Sequence, residues 1–168
     1  MSAKWLAAFA AMVLCIGSVD RSMAEAPEAP VQEVQLSVLP SEGASDKLTL
    51  DLKLSYRGQQ RILISESSLP WRMEHSLLLL AVCLDGKNRV IPETYSLENP
   101  SPNAISLEPG QSLMGSVNLS ERFPTLRDCV QNHEALVFWS FQLKPRGSSP
   151  YPRLNGGVSI ATRSGTRR

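Results

Sequence analysis

An all-β fold, an antiparallel sandwich of seven to nine strands with one short helix near 124–132, is what this sequence predicts. Three observations carry that expectation. From Leu48 to Tyr56 the chain alternates between apolar and polar residues, the pattern of a strand with one buried and one wet face. Leu77 to Leu84 is a continuous apolar run of strand length, closed by the turn signal Asp85-Gly86. Ile105 to Ser120 reads as a hairpin: a strand, a Pro109-Gly110 turn and a second strand, since proline pre-sets the first turn residue and glycine tolerates a positive φ.

The 168-residue chain divides into a signal peptide over 1–24, a flexible leader over 25–33, a sandwich domain over 34–162 and a basic tail over 163–168. Lys4 supplies a positive start, Trp5 to Gly17 an apolar run, and Ser22-Met23-Ala24 the small residues of a cleavage site, so the mature protein begins after Ala24 and is secreted or periplasmic. The competing reading, a membrane anchor, needs about 20 apolar residues, and this run is shorter; no stable membrane span is expected. Acylation at Cys15 would place the bulky Leu14 where a small residue belongs. The leader Glu25 to Val31 carries two prolines and no periodicity.

Order begins with Val34, Leu36 and Val38, and Pro40 ends that strand. After a polar turn comes the alternating strand, with Leu48, Leu50, Leu52, Leu54 and Tyr56 on one face. Arg57 to Gln60 then leads into Arg61 to Ser65, expected as its hairpin partner. Glu66 to Glu74 breaks the pattern, either as a crossover with Trp71 plugging the core edge or as a recognition loop presenting Trp71 and Arg72. Leu77 to Leu84 is expected to be central in its sheet or buried on both faces. Asp85 to Asn88 turns into Arg89 to Ile91, Pro92 limits the pairing, and Thr94 to Asn103 is a surface loop.

Beyond the Pro-Gly turn, Leu113, Gly115, Val117 and Leu119 share a face. Phe123 to Asn132 is the helical segment, with Leu126 and Val130 spaced i, i+4 beside Cys129. Leu136 to Leu143 is another central strand, with Val137, Trp139, Phe141 and Leu143 on one face and Phe138 opposite. A long loop carrying Tyr151 and Arg153 precedes a last strand at Gly157 to Ala161.

With Cys15 in the signal, Cys83 and Cys129 remain, and an even count in an exported chain favours a disulfide. Closing that loop is worth about 4 kcal/mol by chain entropy. Two buried free thiols are the alternative.

The chemistry-bearing motifs are few. Glu74-His75 and His133-Glu134 lack the second histidine of a metalloprotease helix, because position 137 is Val137. Gly110-Gln111-Ser112 is no nucleophile elbow, Asn155-Gly156-Gly157 is loop punctuation, and the cysteines lack zinc-site spacing. No metal, no cofactor and no catalytic residue is assigned. Taking Lys4 and Arg21 from 17 basic residues and Asp20 from 16 acidic ones leaves 15 of each, so a nucleic-acid surface is not expected. Six basic residues and no acidic one lie from Lys144 to Arg168.

The runs Leu48 to Leu54 (LTLDLKL), Leu107 to Ser112 (LEPGQS) and Val117 to Ser120 (VNLS) resemble the immunoglobulin-like β-sandwich that precedes the catalytic domain of deuterolysin-type and peptidyl-Lys metalloendopeptidases. More loosely, they are similar to small bacterial proteinase-inhibitor sandwiches. The resemblance spans about residues 46 to 120, and the sequence shows no catalytic domain after it, so peptidase activity is not carried over. It implies a noncatalytic module that binds another protein, inhibitor-like or antitoxin-like, with Trp71, Arg72, Tyr151 and Arg153 as the candidate partner-binding residues. A structural envelope component and a hydrolase with a dispersed site around His75 or His133 are the alternatives.

Overall fold

The computed structural model describes residues 32–41, 48–95 and 99–161. The expected signal, the leader up to residue 31 and the tail over 163–168 lie outside the described residues. Among the described residues nine strands occur in chain order: β1 Val34–Pro40, β2 Thr49–Tyr56, β3 Ile62–Ser65, β4 Leu77–Cys83, β5 Arg89–Ile91, β6 Ala104–Leu107, β7 Ser112–Asn118, β8 Ala135–Phe141 and β9 Leu154–Ile160. Two short helices, α1 Leu119–Arg122 and α2 Leu126–Asn132, separate β7 from β8.

Every pairing is antiparallel. One layer runs β1-β2-β7 and the other β5-β4-β8-β9, while β3 and β6 form a two-stranded ribbon that touches the chain after β8 through Ile64 and Pro145. The protein is therefore an all-β antiparallel sandwich. Its core lies between the layers. Leu50, Leu52, Leu54 and Tyr56 of β2 are buried in one cluster with Leu77, Leu79 and Ala81 of β4 and Val137 and Phe141 of β8. Thr49, Asp51, Lys53 and Ser55 keep the other face of β2 wetter, as their alternation requires.

Helix α1 starts at Asn118, whose Oδ1 accepts from the Ser120 N–H at 3.0 Å and satisfies one of the donors a helix start leaves free. Helix α2 buries Leu126, Cys129 and Val130. A disulfide between Cys83 and Cys129, with Cα atoms 5.9 Å apart, ties it to the end of β4.

Four expectations are corrected and one open alternative is decided. First, β3 pairs with β6 and not with β2. Both edges of β2 are already taken, by β1 along one side and β7 along the other. Second, Pro109-Gly110 turns a corner between sheets and closes no hairpin. Gly110, at φ +81°, donates its N–H to the Tyr56 carbonyl at 2.9 Å, and the Tyr56 N–H donates to Gln111 at 2.9 Å, so tertiary pairing with β2 captures the turn. Third, of the two positions left open for β4 the structure shows the central one: it lies between β5 and β8, with one face buried. Fourth, Leu119 does not continue β7 but opens α1, giving two helices where one was expected. Fifth, β9 starts at Leu154, three residues earlier than its glycines suggested, because its register with β8 begins at Phe141.

Candidate interaction face

In a pleated sheet, alternate residues of paired strands point the same way, so the register fixes what each face carries. On β4, Leu77, Leu79, Ala81 and Cys83 turn to the core; Leu78 and Leu80 turn out, 48% and 46% exposed. Their outward neighbours on β8 are set by the pairs Leu80↔Phe138 and Val82↔Leu136, and on β5 by Val82↔Val90. Phe138 is 46% and Val90 60% exposed. Six apolar residues therefore lie side by side on the outer face of β5-β4-β8, four of them about half exposed. Single exposed apolar residues are ordinary, whereas a contiguous group marks a docking surface.

On β9 the outward positions are small and polar: Asn155, Gly157 and Ser159. Phe138 leans over Gly157, where a side chain would begin 3.3 Å from the ring. Among the described residues, this side of the face is basic at one end, where Arg153 and Lys144 line one groove with Ser140, and acidic at the other, at Glu134. Arg153 donates to the Ser140 hydroxyl at 3.2 Å, and at the other end the Ser159 hydroxyl donates to the exposed carboxylate of Glu134.

Of the four residues expected to bind a partner, only Arg153 stands at this face. Trp71 is partly buried on the inner side, against Gly115 of β7, where a Cβ would fall 2.2 Å from its indole. Arg72 is exposed and paired with Glu66 at 2.6 Å. The Asn103 and Ser101 side chains, with the Arg72 guanidinium adding, hold the Glu66 carboxyl below its usual range. Tyr151 packs edge-on to Tyr56, ring centres 6.2 Å apart, with its hydroxyl 3.4 Å from that of Tyr56; burial and this contact push its phenol up. The two aromatics are thus used within the fold, and the four residues do not form one site.

Sequence reasoning passed over Arg122. It is 4% exposed; its guanidinium donates to Glu93 Oε1, and at 3.0 Å to each of the two carbonyls of Glu74 and Leu77. Glu93 in turn accepts from the Tyr95 hydroxyl at 2.8 Å, which raises the Tyr95 pKa. A charge inside α1 with no periodic partner gave no pattern to find; its signal was only its place between the buried Leu119 and Phe123.

His75 and His133 are both exposed and line separate grooves, His75 with Ser67, Ser76 and Arg153, His133 with Asp128 and Asn132 beside the disulfide. Among the described residues, neither histidine hydrogen-bonds or ion-pairs with a carboxylate, no three metal-ligating side chains cluster, and no helix is long and apolar enough to cross a membrane. No protein-family model and no curated protein matches the chain.

Proposed function

We propose that this chain is an exported, noncatalytic protein-binding module that docks its partner on the outer face of β5-β4-β8-β9. The observation that carries the reading is the contiguous outward group of Leu78, Leu80, Val90 and Phe138. At these exposures the four leave roughly 350 Å2 of apolar surface in water, within the range of the largest patch on a typical monomer and often functional. Export is supported by the disulfide, which an oxidising compartment preserves, and by the charged, apolar, small-residue order of the first 24 residues. The inhibitor-like variant, in which loops do the binding, is less favoured, because Trp71 and Tyr151 are engaged within the fold.

A photo-crosslinking amino acid at position 80, in the host that exports the protein, tests this. The expected result is a protein adduct at position 80 that Phe138→Asp removes. Met114, 74% exposed on the opposite layer, is the control position. Equal labelling at 80 and 114 would reject the face.

A further inference from the structure

We infer that the partner on this face is a second copy of the chain, packed face to face about a two-fold axis that crosses the strands at Phe138. The inference rests on the reading of the outer face as a protein-docking surface and names its occupant.

The face has its own internal symmetry. Glu134 stands four residues before Phe138 on β8. The pair Phe141↔Leu154, extended one step, sets Arg153 opposite Gln142, four residues after Phe138. The carboxylate and the guanidinium are therefore equidistant from Phe138 along the strand, about 13 Å to either side at the rise of an extended chain. The hydroxyls that hold them are placed alike: Ser140 lies two residues after Phe138, and Ser159 pairs with Leu136, two residues before it.

A two-fold axis lying between two such faces, perpendicular to the strands, reverses strand direction and keeps β8 and β9 over their counterparts. It carries each Glu134 onto the level of the other copy's Arg153, forming two opposite-charge contacts at the ends of the interface. An axis along the strands would instead match each charged end with its like. Isologous interfaces require a surface to complement itself, and an uncharged apolar centre flanked by opposite charges at equal distances does so. Aligned packing of two twisted sheets, strands within about 30° of each other, is the ordinary geometry for such faces.

Size agrees with this occupant. Three strands of seven residues, with the three-residue β5 beside them, make a face about 19 Å across at its widest and about 23 Å long. Two such faces with their rims bury on the order of 1,000 Å2, the lower bound for a specific interface. The Asp85–Arg89 pair at the β4–β5 turn is neutral as a unit, and it lies away from the β8–β9 side.

Sedimentation velocity of the purified protein from about 1 to 100 micromolar tests the inference. The expected result is a mass rising to twice the monomer's. Leu80→Asp should leave a monomer at every concentration. Glu134→Arg and Arg153→Glu should each weaken association about tenfold or more, since each sets like charges together at both ends of the interface, and the double exchange should restore it. Both side chains are exposed, so a melting temperature unchanged from that of the wild type at the lowest concentration, where both are monomers, shows that the variants are folded. A wild-type monomer at 100 micromolar, a dimer indifferent to Leu80→Asp, or a double exchange no better than the single variants would overturn the inference. A monomer whose position-80 crosslinker captures a different protein would overturn the self-pairing and leave the docking face standing. No adduct at position 80 would remove both.

Discussion

Trp71 lies against Gly115, its indole occupying the space where any side chain at residue 115 would begin. The segment between β3 and β4 is thereby fastened to the inner face of β7. Gly115→Ala must push the ring away, and overpacking of this kind costs about 1–3 kcal/mol. Urea unfolding should show the lowered midpoint, and tryptophan emission should move to longer wavelength as the ring meets water.

Arg122 and Glu93 form a buried pair whose guanidinium also holds two carbonyls, those of Glu74 and Leu77. Removing one member strands the other charge in the interior, which costs about 3–5 kcal/mol. Arg122→Ala is expected to fall in that range. Arg122→Ala combined with Glu93→Gln should recover part of the loss, measured in a denaturant double-mutant cycle.

The two faces of β4 should respond to substitution in opposite ways. Leu79→Ala opens a cavity in the core and should cost about 2–5 kcal/mol. Its neighbour Leu80, outward and half exposed, should tolerate Leu80→Thr within about 1 kcal/mol in the monomer. Equal losses at the two positions, by thermal unfolding at low protein concentration, would contradict the assigned orientation of β4.

Loss of the Cys83–Cys129 bridge should cost about 2–4 kcal/mol, since the bond closes a loop of 46 residues. Alkylation of the denatured, unreduced protein should find neither thiol free. The double replacement by alanine should melt lower and respond no further to reductant.

Glu66 should titrate below ordinary glutamates, and Asn103→Ala should raise its midpoint, because the Asn103 amide is the largest contributor to the depression. A carboxyl lowered on folding adds stability that is complete above the unfolded-state value and is lost as pH falls through the folded one. Carbon-13 NMR of the glutamate carboxyls measures both midpoints.

Much of the fold was legible because period-two alternation is a local signal. Leu50, Leu52 and Leu54 announced their burial, as did Leu126 and Val130 on their helix. What failed was whatever depended on a distant partner. Pro109-Gly110 has the same turn chemistry in a hairpin and at a corner, and only the Tyr56 backbone decides between them. Leu78 and Leu80 read identically whether a strand is covered on both faces or only central in its sheet, so the apolar run alone leaves the outer face undecided. Of the face itself, Arg153 was picked out by its loop and Phe138 by its parity with Val137. Glu134 was noted only beside His133, because its relation to Phe138 exists along the register of β8 and β9.

The corner at Gly110 also bears on how the protein reaches this state. It joins β6, paired back to β3, with β7, paired back to β2, where Ser55 meets Ser112 and Thr49 meets Asn118. Neither layer is complete until chain segments more than fifty residues apart have met. Topologies so rich in distant pairings fold in milliseconds to seconds, far more slowly than helical bundles of similar stability. During that interval the outward leucines of β4 and their unpaired backbone are open to other chains, so dilute refolding should outperform concentrated refolding.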